Sequence, residues 1–363
     1  MSAFGTFFLP GPTEVRREVL QAMSRPMIAH RGPEFEALFR EIQDGLRELF
    51  GTRRPVYVST SSATGLMEAA IRNTPAGPIL SLVNGAFSER FAAIARACER
   101  EVRILRAPEG TVVPHEAVEH ALRERWYAAV TAVHSETSTG ALSDVGALAA
   151  LAHAHEAMIL VDSVTGVGGT PMRADAWALD FVLTGSQKAL ALPPGLAFAV
   201  ASERFVLQAE ALRDRGRYFD VVEFEQASRR HQTPNTPALS LLYATQEQCR
   251  ALLAEGLAPR WARHDAMRDA TVNWANAAAR DGLLAGIVAH EGVRSPTVTA
   301  LRLPTPLRDT AVAAALGRRG FTIGTGYGAL AGTTVRIGHM GDHSVSGLER
   351  CLTALTETLR ALN

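Results

Sequence analysis

The sequence predicts an α/β fold with a mostly parallel central sheet covered by helices, followed by a smaller α+β domain. The chain has 363 residues, which exceeds the usual size of a single hydrophobic core, so two domains are expected. It is 47% hydrophobic and 20% charged, a composition typical of globular proteins. Short, continuous apolar runs alternate with helical patterns, as they do in parallel sheets buried on both faces.

The large domain begins with a helix predicted over residues 34–50, where apolar side chains recur at helical spacing. Apolar runs then predict six strands: 56–58, 79–83, 128–133, 158–161, 181–183 and 196–200. Helical stretches, charged or rich in alanine, separate several of these runs. In sheets of this kind the ligand lies at the carboxyl ends of the strands.

The pattern changes after about residue 250. A long polar helical region over 246–280 leads to an apolar segment at 297–303, a helix near 307–319, a glycine-rich loop and a final helix over 345–362. We therefore predict a large domain over 15–250 and a small domain over 251–363. Residues 1–14 are predicted to lie at the junction of the two.

Charge and cysteine content exclude several classes of function. Lys+Arg and Asp+Glu both number 37, so net charge gives no reason to expect binding to nucleic acid or to an anionic membrane. The three cysteines are far apart, which favours free thiols in a reducing compartment. No apolar run approaches the ~18 residues of a membrane span, and residues 1–8 carry no basic side chain, so no signal peptide is expected. A cytoplasmic protein without a metal site is predicted.

Two charged side chains follow neighbouring predicted strands. Asp162 ends the run 158–161, and Lys188 follows the run 181–183 after Gly185, Ser186 and Gln187. A lone lysine at a strand end is most often a solvated surface charge. Paired with an aspartate at the next strand end, it also suits pyridoxal phosphate (PLP) chemistry. There the lysine forms a Schiff base and the aspartate keeps the pyridine nitrogen protonated.

Other strand ends carry residues that suit the same cofactor, each with an ordinary structural alternative. Ser61 to Thr64 precede a predicted helix and suit a phosphate site, or a simple N-cap. Phe87 suits stacking on a flat ring, or a core position. Thr137 lies in a hydroxyl-rich turn closed by Gly140. Arg336 lies within an apolar strand, where it suits a carboxylate ligand or an internal ion pair.

The order of these motifs resembles the class V aminotransferases, which have the PLP-dependent aspartate aminotransferase fold (fold type I). Within them the chain is most similar to the alanine–glyoxylate and serine–glyoxylate (serine–pyruvate) branch. The resemblance covers nearly the whole chain and rests on these segments: L-P-G-P-T, H-R-G-P-E-F, S-S-A-T, N-G-A-F, E-T-S-T-G, V-D-S-V-T-G-V-G-G, G-S-Q-K-A, S-P-T-V-T-A and R-I-G-H-M-G.

The resemblance implies a role for each residue at the cofactor ring. Lys188 would be the Schiff-base lysine, and Asp162 would contact the pyridine nitrogen. Phe87, where many relatives carry Trp, would stack on the ring opposite Val164. Thr137, at a position that is usually Ser, would donate a hydrogen bond near the ring.

The phosphate and substrate positions follow in the same way. Ser62, Ala63, Thr64 and Gln187 would hold the phosphate, with Ala63 standing where relatives often have Gly. The family is dimeric with its active site at the subunit interface, so the segment 232–237 would reach the partner's phosphate. Within it Thr233 is the expected contact, because some relatives have Tyr where Gln232 stands. Arg336 would bind the substrate α-carboxylate, and Gly11 and Tyr327 would shape the substrate pocket.

The resemblance implies a ping-pong transamination from alanine or serine to glyoxylate or pyruvate. Relatives that act on aspartate, ureidoglycine or aminoethylphosphonate leave other donors open. A PLP lyase is a second alternative, but the glycine-rich loop 324–332 lacks the cysteine that a desulfurase needs. A non-catalytic binding protein is a third. His30, Arg31 and His339 lie near predicted site segments, and we expect structural roles for them.

Overall fold

The structure is a computed structural model that describes residues 4–362. A seven-stranded sheet forms its centre, in the order β2-β10-β9-β8-β5-β3-β4. Its strands are β2 (Tyr57–Ser59), β3 (Ile79–Val83), β4 (Val102–Arg106), β5 (Ala129–Val133), β8 (Met158–Asp162), β9 (Phe181–Gly185) and β10 (Ala197–Ala201). Four of its six neighbouring pairs are parallel, as predicted for an α/β fold, and the two pairs that involve β10 are antiparallel.

Helices cover both faces of this sheet. The helices up to residue 255 are α1 (Arg17–Ala22), α2 (Pro33–Phe50), α3 (Ala63–Arg72), α4 (Ala86–Ala97), α5 (His115–Glu124), α6 (Val145–Ala154), α7 (Glu203–Glu210), α8 (Val221–Arg229) and α9 (Leu239–Glu255). The strands β3, β5, β8, β9 and β10 are buried at every position. This burial on both faces explains why their sequences are continuous apolar runs.

Two details of the sheet differ from the sequence prediction. Strand β4 was not predicted, because it is a partly exposed edge strand in which two of the five residues are arginines that interrupt the apolar run. Strand β10 runs antiparallel to both β9 and β2, a direction that apolar content alone does not encode. The sheet is still mostly parallel, and the α/β architecture predicted from the sequence is confirmed.

A second sheet has the order β1-β13-β14-β12-β11. Its strands are β1 (Phe7–Phe8), β11 (Gly286–Ile287), β12 (Val298–Arg302), β13 (Thr322–Thr325) and β14 (Thr334–Gly338), and two short strands, β6 (Ser135–Glu136) and β7 (Ala141–Leu142), pair with each other elsewhere. Helices α10 (Leu257–Arg280), α11 (Asp309–Gly317) and α12 (Val345–Leu362) accompany it. These elements share an apolar core separate from that of the large sheet.

The N-terminal segment connects the two sheets. Strand β1 pairs parallel with β13, and five residues later Thr13 donates its backbone N–H to the carbonyl of Gln187 at 2.9 Å. The predicted polar helix over 246–280 is two helices, α9 and α10, interrupted at Gly256, whose φ is +80°. The predicted domain limit at 250/251 falls inside α9. None of the helices within residues 4–362 is long and apolar enough to cross a membrane.

Candidate active site

The carboxyl ends of the parallel strands meet at a cavity of about 210 Å³. Nine of the residues selected from the sequence line it: Ser62, Ala63, Thr64, Phe87, Thr137, Asp162, Val164, Gln187 and Lys188. They come from five separate loops of the large sheet. The fold therefore brings together residues that are up to 126 positions apart in the sequence, from Ser62 to Lys188.

Lys188 is almost fully buried in this cavity, with 9% of its surface exposed. Its Nζ donates to the Pro10 carbonyl at 2.5 Å. The next residue, Gly11, has φ +111°, and a Cβ there would lie 2.3 Å from Lys188 Nζ, so only glycine fits beside the amine. Burial, with help from the positive charge of Arg336, lowers the pKa of Lys188 to about 8. The neutral fraction of the amine near neutral pH is therefore larger than that of an exposed lysine, although the protonated form still predominates.

Asp162 lies at the end of β8 and is 2% exposed. Its Oδ1 accepts the backbone N–H of Val164 at 2.8 Å, and no cation forms an ion pair with it among residues 4–362. Burial therefore dominates and raises the pKa of Asp162 to about 7. A buried carboxylate of this kind requires a positive partner in order to stay charged.

The segment Ser62 to Thr64 forms the beginning of α3. Ser62 has extended dihedral angles (φ −78°, ψ 161°) and caps the helix without a side-chain hydrogen bond. Its hydroxyl is therefore not used in the ordinary N-cap interaction that competed with the phosphate interpretation. The first backbone N–H groups of a helix lack partners within the helix, so this end of α3 favours an anion in the cavity.

Phe87 is held in place by a buried carboxylate that the sequence analysis did not select. Glu136 is fully buried, and its oxygens accept the backbone N–H groups of Phe87 at 3.2 Å and Ser88 at 3.0 Å. Its other contacts include the Ser138 hydroxyl at 2.5 Å. A carboxylate at a helix N-terminus is stabilised by these donors and by the helix dipole. Glu136 thus fixes the start of α4 and with it the Phe87 ring.

Arg336 projects from β14 toward the same region. Its Nε donates to the Thr325 carbonyl at 2.8 Å and its Nη1 to the Thr137 carbonyl at 3.2 Å. Within residues 4–362 no carboxylate pairs with it, so the internal ion pair considered as an alternative is not present. Thr137 itself places its Oγ1 3.4 Å from the hydroxyl of Thr165.

Tyr327 and Arg90 complete the site. The Tyr327 ring stacks on Phe87 with centroids 5.2 Å apart and planes 9° apart, and Arg336 lies 5.5 Å from its centroid. Arg90, which the sequence analysis missed, lines the cavity and donates to the Tyr327 hydroxyl at 2.7 Å. It follows Phe87 by three positions in α4, so helical spacing from the predicted aromatic was an available signal. Met67 and Ser135 also line the cavity.

Gly11, Tyr327 and Arg336 contact residues of the cavity lining but do not belong to it. Four further residues also lie outside the lining. Thr233 is buried, and its hydroxyl donates to the Asn235 carbonyl of its own loop at 2.7 Å. Arg31 donates to the Pro234 carbonyl at 3.3 Å, and both it and His30 lie toward the surface. His339 is fully buried between the Thr299 hydroxyl and the Pro296 carbonyl. The contacts of His339 are those of a structural residue.

The residues of the cavity fit pyridoxal phosphate. A buried amine with a lowered pKa suits covalent attachment of an aldehyde, and Asp162 lacks the cation that a protonated pyridine nitrogen would supply. An aromatic ring and a helix N-terminus lie at the same cavity for stacking and for phosphate. The amine, the aspartate, the aromatic ring and the helix N-terminus would each bind a different part of the cofactor.

Comparisons with known proteins agree with this chemistry. Residues 7–291 match the family model described as aminotransferase class-V. The chain is 33% identical to the L-aspartate–glyoxylate aminotransferase of Paracoccus denitrificans, over 94% of this chain and 87% of the relative. It is also 33% identical to the serine–glyoxylate aminotransferase of Methylorubrum extorquens, over 92% and 86%.

A solved structure shows the same similarity. The alanine–glyoxylate aminotransferase of Nostoc sp. superposes with a TM-score of 0.90 at 30% identity, over 98% of this chain and 95% of the other. The resemblance inferred from the motifs is thereby confirmed, as are the fold type and the dependence on pyridoxal phosphate. The chain belongs to the class V aminotransferase family.

Proposed function

We propose that the protein transfers the amino group of a small L-amino acid, alanine or serine, to glyoxylate or pyruvate in a ping-pong reaction. The observation that carries the proposal is the buried Lys188 amine, in one cavity with Asp162 and near Arg336. The serine–glyoxylate and alanine–glyoxylate relatives support the choice of donors and acceptor. Aspartate, ureidoglycine and aminoethylphosphonate are the alternative donors, and a lyase is the alternative reaction.

Pyridoxal phosphate, when bound, supplies an electron-withdrawing ring that stabilises negative charge at the substrate α-carbon. Lys188 would hold the cofactor, and its released neutral amine would remove the α-proton of the donor and deliver it to the cofactor carbon that carries the amino group, so that the donor leaves as its keto acid. Its lowered pKa suits this role because a general base works best with a pKa near the working pH. Asp162 would keep the ring nitrogen protonated.

The remaining side chains bind and orient. Phe87 and Val164 would cover the two faces of the ring, and Thr137 would donate a hydrogen bond at its edge. Ser62, Ala63, Thr64 and Gln187 would hold the phosphate. Arg336, whose guanidinium has no carboxylate partner within residues 4–362, would bind the α-carboxylate, and Gly11 leaves the space beside the amine that the substrate needs.

The same proposal includes a cytoplasmic homodimer in which Thr233 of one protomer contacts the phosphate of the other. We also propose that the large domain covers 15–250 and the small domain 251–363, with residues 1–14 at the junction. A desulfurase is disfavoured by the cysteines. Cys249 and Cys351 are buried in helices, and burial raises the pKa of each thiol to about 12, which suppresses the thiolate.

Amino transfer can be measured with purified holoenzyme and the three donor–acceptor pairs that give net conversion: alanine with glyoxylate, serine with glyoxylate and serine with pyruvate. We expect glycine from glyoxylate, or alanine from serine and pyruvate, at rates that a Lys188→Ala control does not reach. If none of the three pairs yields product above that control, the assignment of donors is wrong. Product from another donor, or release of ammonia without amino transfer, would replace it by an alternative above.

A further inference from the structure

We infer that Arg90 and Tyr327 form a second anion-binding subsite, which takes the side-chain carboxylate of a short acidic donor such as L-aspartate. The inference rests on the proposed amino-transfer function and places an acidic donor ahead of alanine and serine. Arg336 and this subsite would hold the two carboxylates of one substrate.

The side chain of Arg90 is directed into the cavity and not toward the charged side chains on the neighbouring surface. Its guanidinium carbon lies 4.9 Å from the centroid of the Phe87 ring, and the residue lines the cavity of Lys188. The preceding residue, Glu89, pairs instead with Arg106 at 2.6 Å. Two adjacent charged residues of α4 therefore point in different directions.

Arg90 has no negative partner within residues 4–362. Its single hydrogen bond there is the one that Nη2 donates to Tyr327, which leaves Nε and Nη1 without a partner among those residues. Half-buried guanidinium groups are usually paired with carboxylates, because an unpaired charge is costly in a partly dry site. A guanidinium binds a carboxylate through Nη2 together with either Nε or Nη1, and Nη2 carries a second N–H besides the one donated to Tyr327, so Arg90 keeps one such fork for a carboxylate.

Tyr327 fixes the position of this charge. Its ring is stacked on Phe87, its hydroxyl accepts from Arg90, and Arg336 lies against it. The loop that carries Tyr327 is itself held by Asp309, whose Oδ2 accepts the N–H groups of Gly326 at 3.0 Å and Gly332 at 2.8 Å. Two arginines that have no carboxylate partner in the described part of the chain are thus held around one aromatic ring.

This arrangement discriminates between donors by charge. With its α-carboxylate at Arg336, an acidic donor brings a second carboxylate to Arg90, whereas the methyl group of alanine leaves Arg90 unpaired. A neutral side-chain carbonyl, as in asparagine, accepts the same N–H groups without neutralising the charge. Hydrogen bonds to charged groups are the stronger ones, so we expect aspartate to be preferred over asparagine and alanine.

The test compares kcat/KM for L-aspartate, L-asparagine and L-alanine, with glyoxylate as acceptor, in holoenzyme variants. In Arg90→Gln we expect the aspartate-to-alanine ratio to fall by about tenfold to a hundredfold. Tyr327→Phe should lower the ratio by a smaller factor. Arg106→Gln removes an equal charge from a residue that is exposed and paired with Glu89, and should leave the ratio unchanged. Equal losses for aspartate and alanine in Arg90→Gln would overturn the inference.

Binding of non-reacting acids gives a second readout that does not depend on turnover. Calorimetry with the holoenzyme should show succinate binding more tightly than propionate, and Arg90→Gln should remove that preference. Equal binding of the two acids to the wild type would contradict the subsite. If succinate is preferred but no amino acid reacts, the proposed function is wrong and the subsite stands. If alanine reacts and succinate is not preferred, the subsite is wrong and the proposed function stands.

Discussion

Asp162 and Asp342 are both largely buried aspartates, and they show how differently this fold treats its internal charges. Asp342 accepts from Arg16 at 2.7 Å, Arg260 at 2.9 Å and Gln248 at 3.0 Å. Burial alone would raise the pKa of Asp342, but Arg260 and Arg16 outweigh it and lower the pKa. Asp162 forms no ion pair with any residue that the structure describes, and its pKa rises to about 7.

The difference separates a structural cluster from a binding site. The charges around Asp342 satisfy one another and join α9, α10 and the loop after β14. The charges around Lys188 do not: Asp162, Arg90 and Arg336 each lack an ion-pair partner within residues 4–362. Unpaired buried charge is tolerated where a ligand completes it, and perturbed pKa values therefore concentrate at functional sites.

The largest expected effect is on turnover. Lys188→Met should reduce amino transfer by at least about 10²–10⁴-fold, because the base at the α-carbon is lost. It should not lower the free energy of unfolding of the cofactor-free protein at pH 7. Burial lowers the pKa of Lys188 from 10.5 to about 8, so the protonated amine is less stable in the folded chain than in the unfolded one, and Met removes that cost. Destabilisation by several kcal/mol in urea titrations would contradict this account.

In the cluster around Asp342, unlike at Lys188, loss of a charged side chain should lower the free energy of unfolding. Arg260 is fully buried and donates to Asp342, to Glu255 and to the carbonyls of Gly168 and Ala189. Arg260→Ala leaves these acceptors unpaired and should cost about 3–5 kcal/mol of unfolding free energy. Arg319→Ala removes an exposed pair with Glu357 and should cost under about 1 kcal/mol in the same urea titration. Similar losses for both variants would refute the distinction.

Asp162→Asn should stabilise the cofactor-free protein, and increasingly so as pH rises. The folded-state pKa of about 7 lies above the usual 3.8, so the stabilising effect of the neutral acid is complete below pH ~4 and is lost as pH rises through 7. Asparagine never acquires the charge and still accepts from Val164. The advantage of Asn should reach a few kcal/mol at pH 8 and shrink toward pH 5. A pH-independent difference would show that the carboxylate is not isolated.

The smallest effect is expected at the loop that carries Tyr327. Asp309→Asn replaces one of the two acceptor oxygens by a donor, so the N–H groups of Gly326 and Gly332 or that of Thr310 lose their acceptor; this should cost about 1–2 kcal/mol, seen as a severalfold rise in KM for the amino donor with a smaller change in kcat. Asp281→Asn, at the exposed end of α10, is the matched control and should change neither constant. A change confined to kcat would argue against a role in positioning the loop.

The sequence predicted most of the fold because its strands are buried on both faces. β8 and β9 were recognisable as apolar runs, and their polar ends gave Asp162 and Lys188. β4 was missed because an edge strand is partly exposed, and the direction of β10 is set by its connection to β9 rather than by its composition. The break at Gly256 lay in a region whose polar residues continued the helical pattern on both sides.

The sequence predicted those residues of the candidate site that belong to recognisable motifs. Glu136 was quoted only as part of a motif, because a carboxylate that binds backbone N–H groups has no signature in spacing. Arg90 was missed because an arginine in a helix normally faces solvent, and its lack of a partner is visible only in three dimensions. The contribution of Thr233 to a partner subunit stays a prediction.

The most direct test of the central claim is a calorimetric measurement of thermal stability with and without pyridoxal phosphate, for the wild type and Asp162→Asn. The account predicts that Asn is the more stable protein without cofactor at pH 8. Saturating cofactor should raise the thermal stability of the wild type more than that of Asp162→Asn. The wild type should then be the more stable protein, because the pyridine nitrogen supplies the missing cation. If Asn keeps its advantage, or neither protein is stabilised, the unpaired charges of this cavity do not serve the cofactor.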